Sequence, residues 1–362
     1  MSQLVPTILA LNPGAASTKL GLFDGDSERF VSVVEHPETL TSQPVLAQLE
    51  PRLEAVQAEL ERQGVDPAGL TAVAGRGGLL RPVPSGTFRV GPAMLDDLRS
   101  AARGEHASNL GAFLAVRLAE AAGAPAYVVD PVSVDEWDEV ARLSGLHGLE
   151  RTCLSHALNT KAVARRHARE VDRAYAELRL VVVHMGSGIS VSAHREARMV
   201  EVCNSREEGP FGADRAGGLP VAALLDRIRR GQEDAADLYR RATHRGGLLS
   251  YMGTRDVREV LRRIERGSRR ARLVLDAMLY QVRREAGAMA AVLDGRVHAV
   301  LLTGGMVQAA AVAEELRERL AWIAPVHVYP GEDELRALAE GALRVVRGEE
   351  EALSYEPALT AE

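Results

Sequence analysis

Two glycine turns between strand-like runs hold the groups best suited to chemistry in this sequence. One follows the apolar run 7–13 and the other follows the apolar run 180–185, and each leads into a short run that predicts the return strand of a hairpin. Because glycine has no Cβ, backbone N–H groups in such a turn can surround a nucleotide phosphate. Two turns of this kind predict a duplicated domain with phosphates held between its halves. The candidate phosphate-binding residues are Gly14, Ser17, Thr18, Lys19, Gly186, Ser187 and Gly188.

A P-loop is the competing interpretation of the first turn, because Lys19 follows Gly14 by five residues. A P-loop requires a second glycine, a serine or threonine after the lysine, and a helix whose N-terminus faces the phosphates. Lys19 is instead followed by the alternating segment 20–24 and a turn, which predict a strand. For either turn alone an ordinary hairpin is the simpler interpretation, but the pairing of two turns favours phosphate binding.

The composition is typical of an enzyme with two compact cores. The chain has 362 residues, of which 46% are hydrophobic and 26% charged. It shows no signal-peptide pattern and no apolar run long enough to cross a membrane. Cys153 and Cys203 lack metal-type spacing, and the net charge of −6 is spread without a basic stripe. We therefore expect a cytoplasmic protein that binds neither nucleic acid nor a membrane.

Strand-like and helix-like segments alternate along the chain, which indicates an α/β fold with mixed sheets. Strands are predicted at 29–35, 70–74, 126–129, 299–303 and 326–329. Helices are predicted at 44–63, 94–102, 108–122, 134–143, 156–169, 219–293, from 306 to 320, and at 332–347, before a frayed tail at 348–362. We expect an N-terminal domain at 1–133, to which a C-terminal helix at 332–350 returns, and a second domain at 134–331.

A third glycine-containing turn follows the strand predicted at 299–303. Gly304 and Gly305 stand between that strand and a helix, in a turn that would let the sugar or adenine of a nucleotide pack against backbone. An ordinary helix entry is the alternative for this pair alone.

Seven sequence blocks in chain order resemble the butyrate kinases, members of the acetate kinase group in the superfamily of actin, Hsp70 and sugar kinases. The blocks are 12–14 with 17–19, 75–78, 104–109, 129–131, 184–190, 209–211 with 214–220, and 303–305. The resemblance implies two duplicated ribonuclease-H-like (actin-like ATPase) domains with mixed sheets flanking a nucleotide cleft. It also implies ATP and Mg²⁺ as cofactors, a homo-oligomer, and phosphorylation of butyrate or a branched C4–C5 acid to an acyl phosphate. Acetate or propionate kinase activity is the alternative.

Positive charge is the main catalytic requirement of this reaction, because a carboxylate is already ionised at neutral pH and must approach the anionic γ-phosphate. Arg76, in a glycine-rich loop after a strand, is predicted to hold the carboxylate or the transferred phosphoryl group. Arg215 lies between Asp214 and the segment 216–218, which is glycine-rich like the loop of Arg76. The resemblance places the family's second active-site arginine at Arg215. His184, just before the second glycine turn, is predicted to donate to a phosphate oxygen.

Two carboxylates are the candidate magnesium ligands. Asp130 ends a predicted strand and precedes Pro131, and Glu332 lies at the predicted start of the last helix. Asp130 is also a candidate catalytic residue, and Asn12 is predicted to contact a phosphate or a metal-bound water.

The chain departs from the family in its glycine turns, since Ala15 and Ala16 replace hydroxyl residues and Ser187 replaces glycine. These changes concern phosphate affinity rather than the reaction class. An actin-like ATPase would share both turns, but its reaction would give Arg76 no role. We therefore treat ATPase activity as the lesser alternative.

Overall fold

The computed structural model describes residues 5–204 and 206–355. The chain forms two compact units, one containing residues 5–134 and 333–355 (unit 1) and the other the described part of 135–332 (unit 2). The strands are β1 Thr7–Pro13, β2 Ser17–Asp24, β3 Ser27–Glu35, β4 Ala72–Arg76, β5 Thr87–Arg89, β6 Ala126–Val129, β7 Leu180–Met185, β8 Ile189–Arg195, β9 Arg198–Val202, β10 Ala299–Gly304, β11 Val326–Pro330 and β12 Leu353–Ser354. The helices are α1 Glu38–Thr41, α2 Leu49–Arg62, α3 Pro92–Ser100, α4 Leu110–Ala122, α5 Glu139–Arg142, α6 Ala157–Glu170, α7 Val221–Arg229, α8 Ala235–His244, α9 Gly247–Met252, α10 Val257–Glu265, α11 Arg269–Val292, α12 Ala310–Leu320 and α13 Glu334–Val346.

The two units share one strand arrangement. Unit 1 has the sheet order β12-β5-β6-β4-β1-β2-β3, and unit 2 has the order β11-β10-β7-β8-β9. In each unit the first three strands form an antiparallel meander. A fourth strand (β4 or β10) pairs in parallel with the first, and a fifth (β6 or β11) pairs in parallel with the fourth. Unit 1 adds β5 and β12 at one edge. The predicted α/β class with duplicated mixed sheets is therefore confirmed.

The two faces of the unit 1 sheet have different partners. Leu9 and Leu11 of β1 lie in the apolar core formed with α2 and α4. Because side chains alternate along a strand, Asn12 lies on the opposite face, and α13 packs against this sheet. Gly75 of β4 approaches α4, so its neighbour Arg76 also lies on the face that carries Asn12.

The unit 2 sheet is covered on both faces. Val181, Val183 and Met185 of β7 join the core built with α11 and α12, whereas Val182 joins the cluster that includes residues of α6. His184 therefore lies on the α6 face of the sheet. α11 begins where the Ser268 side chain accepts a hydrogen bond from the Ala271 N–H, a common N-terminal cap.

Several predicted segments differ in the structure, and the mostly helical segment 219–293 is divided into the five helices α7–α11. Only Glu139–Arg142 is helical within 134–143, because the Asp135 carboxylate accepts from Trp137 N and from Arg142 and holds the chain outside a helix. The tail is not wholly frayed, since β12 pairs with β5 and the Tyr355 hydroxyl donates to Asp97. The rest of the predicted tail, 356–362, lies outside the described residues. Among the described helices, none combines the length and apolarity that a membrane span requires.

A buried histidine gives unit 2 an acid-sensitive stability. His194 Nδ1 lies 2.5 Å from the Tyr175 hydroxyl and its Nε2 lies 2.8 Å from Ser192 Oγ. Burial lowers the pKa of His194 from 6.5 to about 3. As the pH falls below 6.5, His194 binds a proton in the unfolded state but not in the folded state. The folded protein therefore loses stability between pH 6.5 and about 3.

We predict that His194→Gln flattens the pH dependence of stability. Acidification to pH 5 should cost the native protein about 2 kcal/mol through this group, and the variant should not show that loss. Urea unfolding at pH 5, 6, 7 and 8 measures the difference, with the exposed His147→Gln as the control. Equal pH slopes in native protein and His194→Gln would contradict the prediction.

Candidate active site

Three polar side chains meet at the carboxyl edge of the parallel strands β1 and β4. Arg76 Nη1 lies 2.8 Å from each carboxylate oxygen of Glu334 and donates to Asn12 Oδ1 at 3.3 Å. Asn12 Nδ2 donates to Glu334 Oε2 at 2.5 Å. Glu334 is the first residue of α13, so the start of that helix places a carboxylate against both strand ends. These contacts hold the guanidinium of Arg76 in one orientation.

One edge of the Arg76 guanidinium is left available. Among the described residues, Nε and Nη2 make no hydrogen bond, and the side chain is 20% exposed. The Nε and Nη2 donors form a planar fork that matches two oxygens of a carboxylate or phosphoryl group. The structure thus presents an oriented cationic fork at this strand edge.

The loop after Arg76 requires glycine for close backbone approach. A Cβ on Gly75 would lie 2.1 Å from Gly111 O, and a Cβ on Gly77 would lie 2.5 Å from Pro131 Cβ. A Cβ on Gly78 would lie 2.2 Å from the Asn109 side chain. Blocks 75–78, 104–109 and 129–131 therefore pack on one another.

Asp130, a predicted catalytic and metal-binding residue, organises the same loop. It is 2% exposed and has a φ of 37°, an unusual backbone conformation for a residue with a side chain. Its Oδ1 accepts from Ser85 Oγ at 2.6 Å and from Gly86 N at 2.9 Å. One carboxylate oxygen therefore fixes the end of the loop that begins at Arg76.

The first glycine turn differs from the expectation in one residue. Thr18 is fully buried and its hydroxyl lies 2.8 Å from His36 Nε2, so this side chain faces the interior rather than an incoming phosphate. Ser17 is half-buried and Lys19 is exposed. Lys19 pairs with Asn12 across β1 and β2, which places both side chains on the same face of the sheet.

His184 lies in a polar cluster at the second glycine turn. Its Nδ1 lies 2.8 Å from Asn159 Oδ1, and its ring stacks on that of His156 with centroids 4.0 Å apart. Because an amide oxygen only accepts, Nδ1 carries the proton. The other nitrogen, Nε2, lies 3.2 Å from Glu332 Oε1, and it can donate only when the imidazole is protonated.

Glycines shape the second turn as well. A Cβ on Gly186 would lie 2.6 Å from Glu332 Oε1 and 2.9 Å from His184 Nε2. Ser187 is exposed and its carbonyl accepts from Ala213 N at 3.0 Å, whereas Gly188 is buried. The turn is thereby joined to the segment that contains Arg215.

The sequence predicts that Glu332 begins the last helix, but in the structure that helix begins at Glu334. Gly331 pairs with Gly304 through two backbone hydrogen bonds, which keeps the chain extended until α13 begins at Glu334. The Glu332 carboxylate is exposed beside His184. The sequence analysis missed Glu334, because three consecutive acidic residues left the helix start ambiguous.

Arg215 lies in a glycine-bounded loop of unit 2. Its carbonyl accepts from Gly212 N at 2.9 Å, and a Cβ on Gly247 would lie 2.0 Å from Gly212 O. Burial lowers the pKa of the Arg215 guanidinium. A desolvated cation gains more from an anionic partner than an exposed one does.

Comparison with known proteins identifies the class. The model of the acetokinase family matches residues 140–329, more than half of the chain. The structure is similar to that of acetate kinase from Porphyromonas gingivalis, at 18% identity and a TM-score of 0.78, over 94% of this chain and 100% of that one. It is also similar to a propionate kinase from Francisella tularensis, at 14% identity and a TM-score of 0.72, over 93% of this chain and 98% of that one. The structure is similar as well to acetate kinase from Entamoeba histolytica, at 15% identity and a TM-score of 0.73, over 92% of this chain and 98% of that one. The chain belongs to the acetokinase family.

We predict that Gly304 is required for stability and that Gly305 is not. Gly304 has a φ of +98°, and its Cβ would lie 2.5–2.6 Å from backbone atoms of Met185, whereas a Cβ on Gly305 meets no atom within 4 Å. Gly304→Ala should therefore lower the free energy of unfolding by about 2–4 kcal/mol, from strain and overpacking together. Gly305→Ala should change it by less than about 1 kcal/mol. Urea unfolding of the matched pair provides the comparison, and equal losses would refute the assignment.

Proposed function

We propose that this protein is an ATP-dependent carboxylate kinase that converts a short-chain acid, butyrate or a branched C4–C5 acid, into an acyl phosphate. The observation that carries the proposal is the Arg76 guanidinium, held on Nη1 by Glu334 and Asn12 with its Nε and Nη2 fork available. Membership of the acetokinase family supports the same reaction class. The proposed location is the cytoplasm, and the proposed assembly is a homo-oligomer.

Transfer of the γ-phosphoryl group to a carboxylate brings two anions together, so the protein contributes mainly positioning and positive charge. We assign the substrate carboxylate to Arg76. Arg215 stabilises negative charge on the phosphoryl group, and His184 donates to a phosphate oxygen when its ring is protonated. The glycine turns at 14–16 and 186–188 hold phosphates, and Gly304 with Gly305 faces the nucleoside.

The acid used by the enzyme is the narrower part of the proposal. The sequence blocks at 75–78 and 104–109 favour a butyrate kinase, whereas the acetate and propionate kinases of similar structure favour a C2 or C3 acid. One methylene contributes about 1–3 kcal/mol of discrimination, so several acids are expected to react. Profiles of kcat/KM over C2 to C6 acids decide between these substrates, and a maximum at C2 or C3 would overturn the butyrate assignment.

We predict that Arg76→Met lowers kcat/KM for the carboxylate by at least about a hundredfold, because two charge-assisted hydrogen bonds are lost. The KM for ATP should change less than about threefold. The exposed Arg89→Met in the same sheet is the matched control and should retain activity. Steady-state kinetics and circular dichroism of both variants test this role. Activity of a folded Arg76→Met within about tenfold of native would exclude it.

Magnesium fits this arrangement as a complex with the nucleotide. Among the described residues, no group of three or more His, Cys, Asp or Glu side chains is placed to hold a metal ion. Mg²⁺ in kinases is commonly held by substrate phosphates with one or two carboxylates, so a full protein cage is not needed. Glu332 and Asp130 are the carboxylates that we propose for this role. When bound, the ion neutralises charge on the phosphates.

We predict that activity requires Mg²⁺ or Mn²⁺ and is abolished by excess chelator. Glu332→Gln and Asp130→Asn should each raise the Mg²⁺ concentration for half-maximal activity several-fold. The exposed Glu318→Gln serves as the control for loss of one negative charge. Metal titrations at saturating ATP measure the effect. Thermal unfolding reports separately whether Asp130→Asn loosens the loop that Asp130 holds.

A further inference from the structure

Arg52 of α2 lies beneath the first glycine turn and is fully buried. Its Nη1 donates to Gly14 O at 2.9 Å and to Ser17 O at 3.4 Å, and its Nη2 donates to Ala15 O at 3.2 Å. Gln48 Oε1 accepts from Nε and Nη2 and fixes the plane of the guanidinium. One side chain therefore contacts three backbone carbonyls of the turn.

The charge of Arg52 has no carboxylate partner among the residues that the structure describes. All its acceptors are neutral oxygens, the last being Thr18 Oγ1 at 3.3 Å. Thr18 Oγ1 also lies 2.8 Å from His36 Nε2, and an imidazole, whether neutral or cationic, offers Arg52 no negative charge. Burial lowers the pKa of Arg52, and burying a charge without a counterion costs free energy. A methionine or leucine would fill the same space without that cost.

The carbonyl contacts determine where the turn's N–H groups point. In a trans peptide the N–H points opposite to the C=O of the same unit, and no cis peptide bond is present in the described chain. With Gly14 O and Ala15 O directed at Arg52, the N–H groups of Ala15 and Ala16 point away from it. Both alanines are exposed, and within the described residues neither N–H has an acceptor. Because their side chains are methyl groups, these N–H groups are the donors that this part of the turn offers.

We propose that Arg52 is a positioning residue that orients the Ala15 and Ala16 N–H groups toward a phosphate of ATP and supplies a buried positive charge beneath it. This inference rests on the proposed function for the identity of the anion. Arg52 acts through the turn, since the backbone lies between it and the anion.

The test compares Arg52→Met and Arg52→Lys with Arg62→Met, an exposed arginine of the same helix. Isothermal titration with MgATP, in the absence of any carboxylate, should show a dissociation constant at least tenfold weaker for Arg52→Met. Arg52→Lys retains the charge but not the fork, and its constant should be at least threefold weaker. Arg62→Met should bind as the native protein does. In turnover assays, the KM for the carboxylate should stay within about twofold for all three variants.

Hydrogen exchange separates positioning from a stability effect. In the native protein, MgATP should slow amide exchange in a peptide covering residues 12–20. Arg52→Met should lose this protection while a peptide covering 184–190 keeps it. A folded Arg52→Met that binds MgATP with native affinity, or weakened binding that tracks only a lower Tm, overturns the proposal. If neither Arg52 variant folds, absence of MgATP protection at 12–20 in the native protein overturns it.

The two proposals fail in different ways. If the native protein binds MgATP but phosphorylates no carboxylate, the proposed function is wrong, while the titrations still test Arg52. If carboxylates are phosphorylated and Arg52→Met binds MgATP normally, the positioning role alone is wrong.

Discussion

The ion pair between Arg76 and Glu334 joins two positions that are 258 residues apart in the chain. It fixes the first residue of α13 against the ends of β1 and β4, and Asn12 completes the contact. Loss of one partner would leave a half-buried charge uncompensated, which typically costs several kcal/mol. The packing of α13 on the unit 1 sheet and the orientation of Arg76 therefore depend on the same contact.

The two glycine turns are supported by different physical means. The first is held by a buried guanidinium that binds its carbonyls, which suits a turn whose side chains are Ala15 and Ala16. The second is held by backbone approach, with Ser187 O bonded to Ala213 N and Gly304 packed on Met185. The two units thus share a strand topology but support their glycine turns with different groups.

Strand positions followed well from sequence where clear boundaries flank an apolar run. β6 matches its prediction residue for residue, because Pro125 and Asp130 bound it. β5, β9 and β12 were missed, and two of them, β5 and β12, have only three and two residues and so show no periodicity. The helix predicted at 134–143 failed because the Asp135 carboxylate accepts from Trp137 N and from Arg142, and these contacts have no sequence signature.

Site residues could be predicted where their motif is local, and less well where their partner is distant. Arg76 and His184 stood out beside glycine-rich turns, whereas Glu334 could not be paired with Arg76 from sequence alone. Arg52 did leave a signal, since it falls between Leu49 and Val56 on the apolar stripe of α2. A charged residue at such a position indicates a buried polar contact, but its acceptors, the turn carbonyls, have no sequence signature.

The scarcity of lysine has a practical consequence for this protein. Lys161 is 1% exposed and its Nζ lies 2.5 Å from Glu136 Oε2, whereas Lys19, the other lysine in the chain, is exposed on β2. An amine-reactive dye would thus meet a single accessible lysine side chain, on the strand that leaves the first glycine turn. Arginine-rich surfaces elsewhere would remain unlabelled, so a fluorophore could be placed at this site without introducing a cysteine.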